Sequence, residues 1–389
     1  MSRLVIISSA KLEEIIAKGN FHYVANYAAL FEEIFVLYWN SSQAKSFSFG
    51  NVKLINLAFS PRNTKHKVIR KAKFLKSLLC APFRIQIFCQ KISPARILTA
   101  DLVFSFWTTL LLKMQGHRIY LVPVTLPDSI YSTGRTISGL PLKIESKLLK
   151  LSLLNSFCIL IDKRHLGVKE YFQHISPHKI RMVGCNVEAI PPIIHFDPPR
   201  AIERHNPEVF RLITTSRLHP EKKLHLLLKA VSELENLGVS FWNLKIIGSG
   251  PQMEELLHMA SELGLLNKIE FLGWKTPAEI ANELRNSDIF ISVLTGSALC
   301  EAGLAGLPAV VVSDPMMLGW FDDEKEVLFT EYDDYKSLAQ GIITLMNEPK
   351  LRIKLGTNLN RLLRNLWVMD NVKSSLISAF DFTDMESRQ

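Results

Sequence analysis

A chain of 389 residues is too long for one ordinary hydrophobic core and fits two domains of roughly 150 to 200 residues each. With 48% apolar and 21% charged residues the composition excludes a disordered chain and indicates buried cores. The net charge of +9 is unevenly held: residues 1–205 carry 28 Lys and Arg against 12 Asp and Glu, and residues 206–389 carry 18 against 25, so the basic character belongs to the first half.

In the first half, Leu4 to Ser8, Glu33 to Tyr38, Val52 to Leu57, Ile119 to Pro123, Cys158 to Ile161 and Ile180 to Val183 read as apolar strands. Helical stretches lie between them, notably Lys65 to Leu79 and Leu142 to Ser152. A second α/β domain is the expectation for this half. Residues 65–91 combine eight Lys and Arg with apolar residues and contain no acid. On a helical period they give a basic face beside an apolar one, the pattern of a helix lying in an anionic membrane surface. A solvated basic face over a normal core fits the same pattern. Nucleic-acid binding is not expected, because no recognition motif or aromatic stacking series accompanies the charges.

Residues 190–208 hold five prolines with neither helical nor alternating period and read as an extended linker. Beyond it strands and helices alternate: strand Val209 to Thr215, helix Lys222 to Asn236, strand Leu244 to Ile247, helix Gln252 to Leu263, strand Ile269 to Leu272 and helix Pro277 to Arg285. Strand Asp288 to Val293, a short helix Ala298 to Ala305, strand Ala309 to Val312 and further helices follow. Short apolar strands separated by helices indicate a parallel sheet covered on both faces, a doubly wound α/β domain. The expected division is a basic N-terminal domain over 1–205, a C-terminal domain over 206–370, and a tail over 371–389 containing a possible return helix.

The five cysteines, Cys80, Cys89, Cys158, Cys185 and Cys300, are odd in number and have neither CxxC nor Cys/His ligand spacing. Neither a disulfide framework nor a zinc site is indicated, and a reducing cytoplasm is the simplest home. The opening residues begin directly on a strand-like run, so no signal peptide is expected. The longest apolar runs are about 11 residues, short of the roughly 20 that span a bilayer.

Three segments carry chemistry. Thr215-Ser-Arg-Leu-His-Pro-Glu-Lys-Lys223 follows a strand and leads into a helix, so Arg217 and Lys222 lie where free backbone N–H groups and the helix dipole already favour anions. Two cations there suit a diphosphate, although two solvated surface charges fit the spacing equally. Gly248-Ser-Gly-Pro251 lets a backbone approach a ligand through Gly248 and Gly250, yet an ordinary tight turn reads the same way. It lacks the third glycine of the dinucleotide fingerprint. In Thr295-Gly-Ser-Ala-Leu-Cys-Glu-Ala-Gly-Leu-Ala-Gly-Leu-Pro308, Gly296 and Ser297 open a small-residue helix expected to pack close to the sheet. Glu301 sits one turn in, able to accept from a ribose diol or simply to favour a helix start.

Taken together, SRLHPEKKLHLLLKAV, KIIGSGP, IEFLGWKTPAEIANELRNSDIFIS and GSALCEAGLAGLPAVV resemble, in order and spacing, the donor domain of family 4 retaining glycosyltransferases of the GT-B fold. The resemblance implies two Rossmann-like domains facing a cleft, a nucleotide-sugar donor on the C-terminal domain, and a saccharide or lipid-linked acceptor on the other. It gives Arg217 and Lys222 the donor diphosphate and the charge on the leaving nucleotide, and Glu301 the ribose hydroxyls. Gly273 and Trp274 fall where the family contacts the base, and Gly296 and Ser297 where the helix start meets the phosphates. No metal or other cofactor is implied.

Two departures stand beside the resemblance. The family's second glutamate, eight positions before the ribose-binding one, is here Val293, and the strand-to-helix loop is shortened. The family's loop histidine is also missing from the segment Ile119 to Asp128, which offers Thr125 and Asp128 as sugar or acceptor contacts, or Asp128 as a helix cap. A transferase, retaining by resemblance alone, is therefore weighed against an inverting or epimerising GT-B enzyme and a degenerate, non-catalytic homologue.

Overall fold

The computed structural model describes residues 3–8, 12, 27–28, 30–39, 46–57, 67–93, 96–99, 106–122, 142–162, 177–183, 208–294, 297–313, 319–366, 374, 377 and 380. The chain forms two compact units, residues 1–190 with 369–389, and residues 191–368. The proline-rich stretch expected as a linker lies outside the described residues except for Glu208.

The first unit is built on an eight-stranded sheet: β1 (Arg3–Ser8), β2 (Glu33–Tyr38), β3 (Phe47–Phe49), β4 (Val52–Asn56), β5 (Arg96–Thr99), β6 (Ile119–Leu121), β7 (Cys158–Asp162) and β8 (Ile180–Val183), in the order β3-β4-β2-β1-β5-β6-β7-β8. All neighbours are parallel except β3 and β4, an antiparallel hairpin turned at Gly50, whose φ is +53°. The strands are nearly continuous apolar runs, as a sheet covered on both faces requires; Leu4, Val5, Ile34, Val36, Leu37 and Leu54 are essentially inaccessible.

Helices α1 (Lys67–Ile92), α2 (Phe106–Met114) and α3 (Leu142–Asn155) carry the chain from β4 to β5, β5 to β6 and β6 to β7. These steps advance in one direction across the sheet, so right-handed crossovers place all three helices on the same face, with α2 packed between α1 and α3. Helix α1 runs past the expected end at Leu79 and through Pro82. Ala81, Ile85 and Cys89, one helical turn apart, are all buried there. Tertiary packing of that stripe outweighs the hydrogen bond that proline removes. From the C-terminal tail, Phe380 is buried against the rings of Tyr120 and Phe31, 5.0 and 5.5 Å between centroids.

The second unit is a wholly parallel sheet of β9 (Phe210–Thr215), β10 (Trp242–Ile247), β11 (Ile269–Gly273), β12 (Ile289–Ser292), β13 (Ala309–Val312) and β14 (Leu328–Thr330), in the order β11-β10-β9-β12-β13-β14. Its helices are α4 (Leu224–Asn236), α5 (Met253–Glu262), α6 (Pro277–Arg285), α7 (Ser297–Leu304), α8 (Tyr335–Asn347) and α9 (Pro349–Leu366). Asp288 does not extend β12 as the sequence suggests. Its buried carboxylate instead accepts from the backbone and guanidinium N–H groups of Arg211 at 2.9 to 3.0 Å, joining the entry ends of β9 and β12.

Arg352 of α9 is almost wholly buried and donates to the carbonyl oxygens of Leu345 and Met346 at the end of α8, with its guanidinium 5.1 Å from the Phe210 ring centre. It closes two carbonyls that a helix end leaves without a partner. Arg352→Met keeps the bulk and strips both bonds. The expected loss is about 2–3 kcal/mol of unfolding free energy, read by urea denaturation.

Candidate functional site

The strand order has one reversal. From β9 the chain steps outward to β10 and β11, then returns to the opposite side of β9 for β12. The crevice beyond the carboxyl ends of β9 and β12 is thus the topological switch point, where open parallel sheets bind ligands. The second-unit candidates with described positions all lie on the segments that leave β9, β10, β11 and β12 at this end.

After β9, the segment 216–223 passes Arg217 into a 3-10 turn, Pro220–Lys222, and then α4. The Arg217 side chain is 69% exposed, and the Glu221 carboxylate approaches it only to 3.7 Å. So weak a pair in water leaves the guanidinium available to a stronger anion. Lys222 is partly buried on the turn itself. Lys223, which looks interchangeable with Lys222 in the sequence, has a different task. Its backbone is left-handed at φ +50°, and its ammonium donates to Asp333 at 2.9 Å and Tyr332 at 3.2 Å, lying 4.4 Å from the Tyr332 ring centre. It clasps the turn to the segment before α8. Only a fold that brings residue 333 beside residue 223 distinguishes the two lysines, and no local pattern marks that.

Gly248 and Gly250 are demanded by the protein's own backbone. A Cβ on Gly248 would stand 1.8 Å from the Ser216 carbonyl oxygen, and one on Gly250 would stand 2.2 Å from that of Leu218. Four backbone hydrogen bonds zip this region: Ser216 N–H to Ile247 O, Leu218 N–H to Ser249 O, Gln252 N–H to Leu218 O, and Gly248 N–H to Gly273 O, at 2.7 to 3.1 Å. The tight-turn reading of these glycines thus has a structural basis: they let the turn after β10 lie directly on the segment bearing Arg217. Gly273 has φ +67° with open space around it, and Trp274 beside it presents a 54% exposed indole.

On the far side of the switch point, β12 leads to α7. Glu301 is partly buried there, and no hydrogen bond or ion pair reaches its carboxylate among the described residues. Burial alone pushes its pKa up from 4.5 to about 7. Thr215 Oγ1, on the last residue of β9, and Gln252 Oε1 are also buried without a hydrogen-bond partner among the described residues. Buried polar groups in folded proteins are nearly always paired, so the Thr215 hydroxyl at the end of β9 and the Gln252 amide oxygen on the segment after β10 stand out at this end of the sheet.

Helix α7 packs on β12 and β13 as expected, and its Gly303 admits a second neighbour. A Cβ on Gly303 would meet Leu363 and Leu359 of α9 at 2.4 and 2.5 Å, and Asn360 of α9 donates to the carbonyls of Gly303 and Leu304 at 3.0 and 2.8 Å. At Gly303, then, the close approach is to α9 and not to the sheet. Val293 is buried in the hydrophobic core of this unit, so the position of the family's second glutamate is occupied by a packed side chain. Thr125, Asp128 and Gly296 lie outside the described residues, as does the side chain of Ser297, whose backbone begins α7.

The second unit is thus a doubly wound domain with one switch point, Arg217 and Lys222 lying on the segment after β9 and Glu301 on the helix after β12. Residues 196–361 match the family described as "Glycosyl transferases group 1". The chain is 26% identical over 178 residues to the lipopolysaccharide core biosynthesis glycosyltransferase LpsD of Rhizobium meliloti (strain 1021), covering 45% of this chain and 50% of that one. It is 27% identical over 154 residues to the alpha-monoglucosyldiacylglycerol synthase of Streptococcus pneumoniae (strain ATCC BAA-255 / R6), covering 37% and 34%. The alignments thus span half or less of the length of these curated relatives. Among solved structures, sucrose-phosphate synthase of Thermosynechococcus elongatus superposes with TM-score 0.77 at 15% identity over 100% of both chains. HepE of Anabaena, solved in complex with UDP and glucose, superposes with TM-score 0.71 at 12% identity over 98% of this chain and 100% of that one. The fold is GT-B, as the sequence resemblance implies.

Proposed function

We propose that the protein is a glycosyltransferase that takes a sugar from a nucleoside diphosphate donor held at the β9/β12 switch point and passes it to a saccharide or lipid-linked acceptor. The observation that carries this reading is the unmet, partly buried Glu301 carboxylate on one side of the crevice, with the exposed Arg217 guanidinium on the other. The carboxylate accepts from the ribose diol, Arg217 and Lys222 hold the diphosphate, and the Trp274 indole flanks the base. In the reaction the bond from the anomeric carbon to the diphosphate oxygen breaks, and the leaving nucleotide gains charge. Fixed cations placed where that charge grows lower the barrier, commonly by a few kcal/mol for each donor. The acceptor hydroxyl oxygen bonds to the anomeric carbon, and its proton passes to an oxygen of the departing nucleoside diphosphate. We assign acceptor binding to the first unit and turnover without a metal, so activity persists in EDTA. Retention of configuration is the resemblance's implication, read from the product anomer by NMR. The HepE complex with UDP makes uridine donors the first to test. A cytoplasmic location fits the absence of cysteine ligand or disulfide spacing.

Calorimetric titration with UDP, GDP and ADP checks the donor site. One nucleotide binds preferentially, and Arg217→Ala with Lys222→Ala weakens it by about 10- to 100-fold, the scale of charge-assisted hydrogen bonds. Failure of folded wild-type protein to bind any of the three sinks the donor assignment. The burial of Val293 favours one second reading, a homologue that binds nucleotide without transferring sugar. Tight nucleotide binding without turnover across a broad acceptor panel would select it.

A further inference from the structure

We infer that the outward face of α1, α2 and α3 is a docking surface for an anionic lipid bilayer. The inference rests on this surface alone and not on the transferase reading. The three helices lie side by side on one face of the first sheet, and each turns apolar side chains to solvent. On α1, Leu79, Phe83 and Ile87 recur every fourth residue and form one ridge, Phe83 being 58% exposed. On α2, Met114 is 77% exposed; on α3, Leu151 and Leu154 stand out, the latter 61% exposed. Exposed apolar residues scattered singly need no explanation, but a ridge on α1 with further exposed apolar residues on the two helices beside it does.

The charge on the same helices identifies the occupant. In sequence, α1, α2 and α3 contain eleven Lys and Arg against one acid, Glu145. Lys91, Lys113, Lys147 and Lys150 are exposed on them. A protein partner of ordinary mixed charge would not require so one-sided a surface, whereas apolar side chains for the acyl boundary and lysines for the headgroups on the same helices suit an anionic leaflet. Among the described residues no helix is long and apolar enough to cross a membrane. The surface lies on the bilayer and does not span it. Helices α2 and α3 belong to the unit assigned above to the acceptor, so docking would hold that unit at the lipid.

Cosedimentation of the full chain with vesicles tests this. The protein partitions onto vesicles of equal parts phosphatidylcholine and phosphatidylglycerol and stays in solution with phosphatidylcholine alone. The exposed variant Phe83→Ser/Ile87→Ser/Leu154→Ser lowers the partition coefficient by about 100-fold or more, since each buried apolar side chain contributes at least about tenfold. Lys147→Glu/Lys150→Glu lowers it by about fivefold or more for each lysine. Lipids brominated on the acyl chain quench Trp107, 48% exposed on α2, with Trp107→Phe as the control. Nucleotide binding in solution is unchanged in every variant, which separates this result from the donor-site test. Absence of binding to the anionic vesicles, binding that the serine variant leaves intact, or a dimer in light scattering that the serine variant dissolves while lipid binding is absent, each overturns the proposal.

Discussion

Glu301→Gln is expected to stabilise the free protein in alkaline solution while crippling its hold on a nucleotide. Burial raises the Glu301 carboxyl from 4.5 to about 7. Between those values the folded chain keeps a proton that the unfolded chain releases, so stability is full below pH 4.5 and falls as pH rises, until the loss is complete above about 7. At about 1.4 kcal/mol for each tenfold change in proton affinity, the charged carboxylate costs about 3 kcal/mol once ionised. Glutamine keeps the shape and never ionises. Near pH 8 the variant should therefore melt several degrees higher than wild type, and at about pH 4 the two should nearly coincide.

Ligand binding reverses the sign. A ribose diol donates to the ionised carboxylate, so the nucleotide favours the form that burial disfavours. Wild-type affinity should rise with pH toward about 7 and then level off, with a proton released on binding. The variant should show no such component and should bind about 10- to 100-fold more weakly near pH 8, each hydrogen bond to a charge contributing about 1.5–3 kcal/mol. Titration of the nucleotide and its 2′,3′-dideoxy analogue into both proteins separates this from the phosphate's own ionisation, which is common to all four measurements. An identical pH profile in wild type and variant would remove Glu301 from the ribose. A stability gain and an affinity loss from one neutral substitution are the mark of a group held at a cost for its ligand.

The sequence made the second unit legible because its strands and helices follow a simple alternation. The expected helix over Pro277–Arg285 forms with the same bounds and opens on a capping box, Thr276 accepting from the Glu279 N–H and Glu279 accepting from the Thr276 N–H. Less of the first unit could be read. The strands β3 and β5 have only three and four residues, too short for a period of two to show, and α1 conceals its true length behind Pro82. At the site, Arg217, Lys222 and Glu301 stood out through the family resemblance, because on spacing alone solvated charges and a helix-start acid fit as well. Lys223, Thr215 and Asn360 did not. Their roles come from the contact with Asp333, from the burial of a hydroxyl at a strand end, and from the contact with the end of α7. Such relations exist only after the sheet has assembled.

The glycines teach the opposite lesson, because their motif was plain and its meaning was not. Gly248→Ala and Gly250→Ala are expected to be the most damaging single-atom changes in the second unit. At Gly248 the new methyl would lie 1.8 Å from the Ser216 oxygen in a backbone at φ +141°, so strain and overlap act together. At Gly250 the overlap is with the Leu218 carbonyl at 2.2 Å, again backbone that no rotamer change can relieve. Relief requires parting the two segments and breaking hydrogen bonds such as Leu218 N–H to Ser249 O. A loss of about 3–5 kcal/mol is expected for either variant, the range of severe backbone and packing defects. Gly273→Ala provides the comparison. Its Cβ meets nothing within 4 Å, so only the left-handed conformation at φ +67° is penalised, by about 1 kcal/mol. If the glycines served the ligand and not the fold, Gly248→Ala and Gly250→Ala would melt like wild type and lose only nucleotide affinity. Calorimetric melting of the three variants with and without nucleotide decides, and the expected order is a deep fall for residues 248 and 250 even in the free protein. The same displacement would carry Arg217 away from the switch point, so nucleotide should restore less stability to those two variants than to Gly273→Ala.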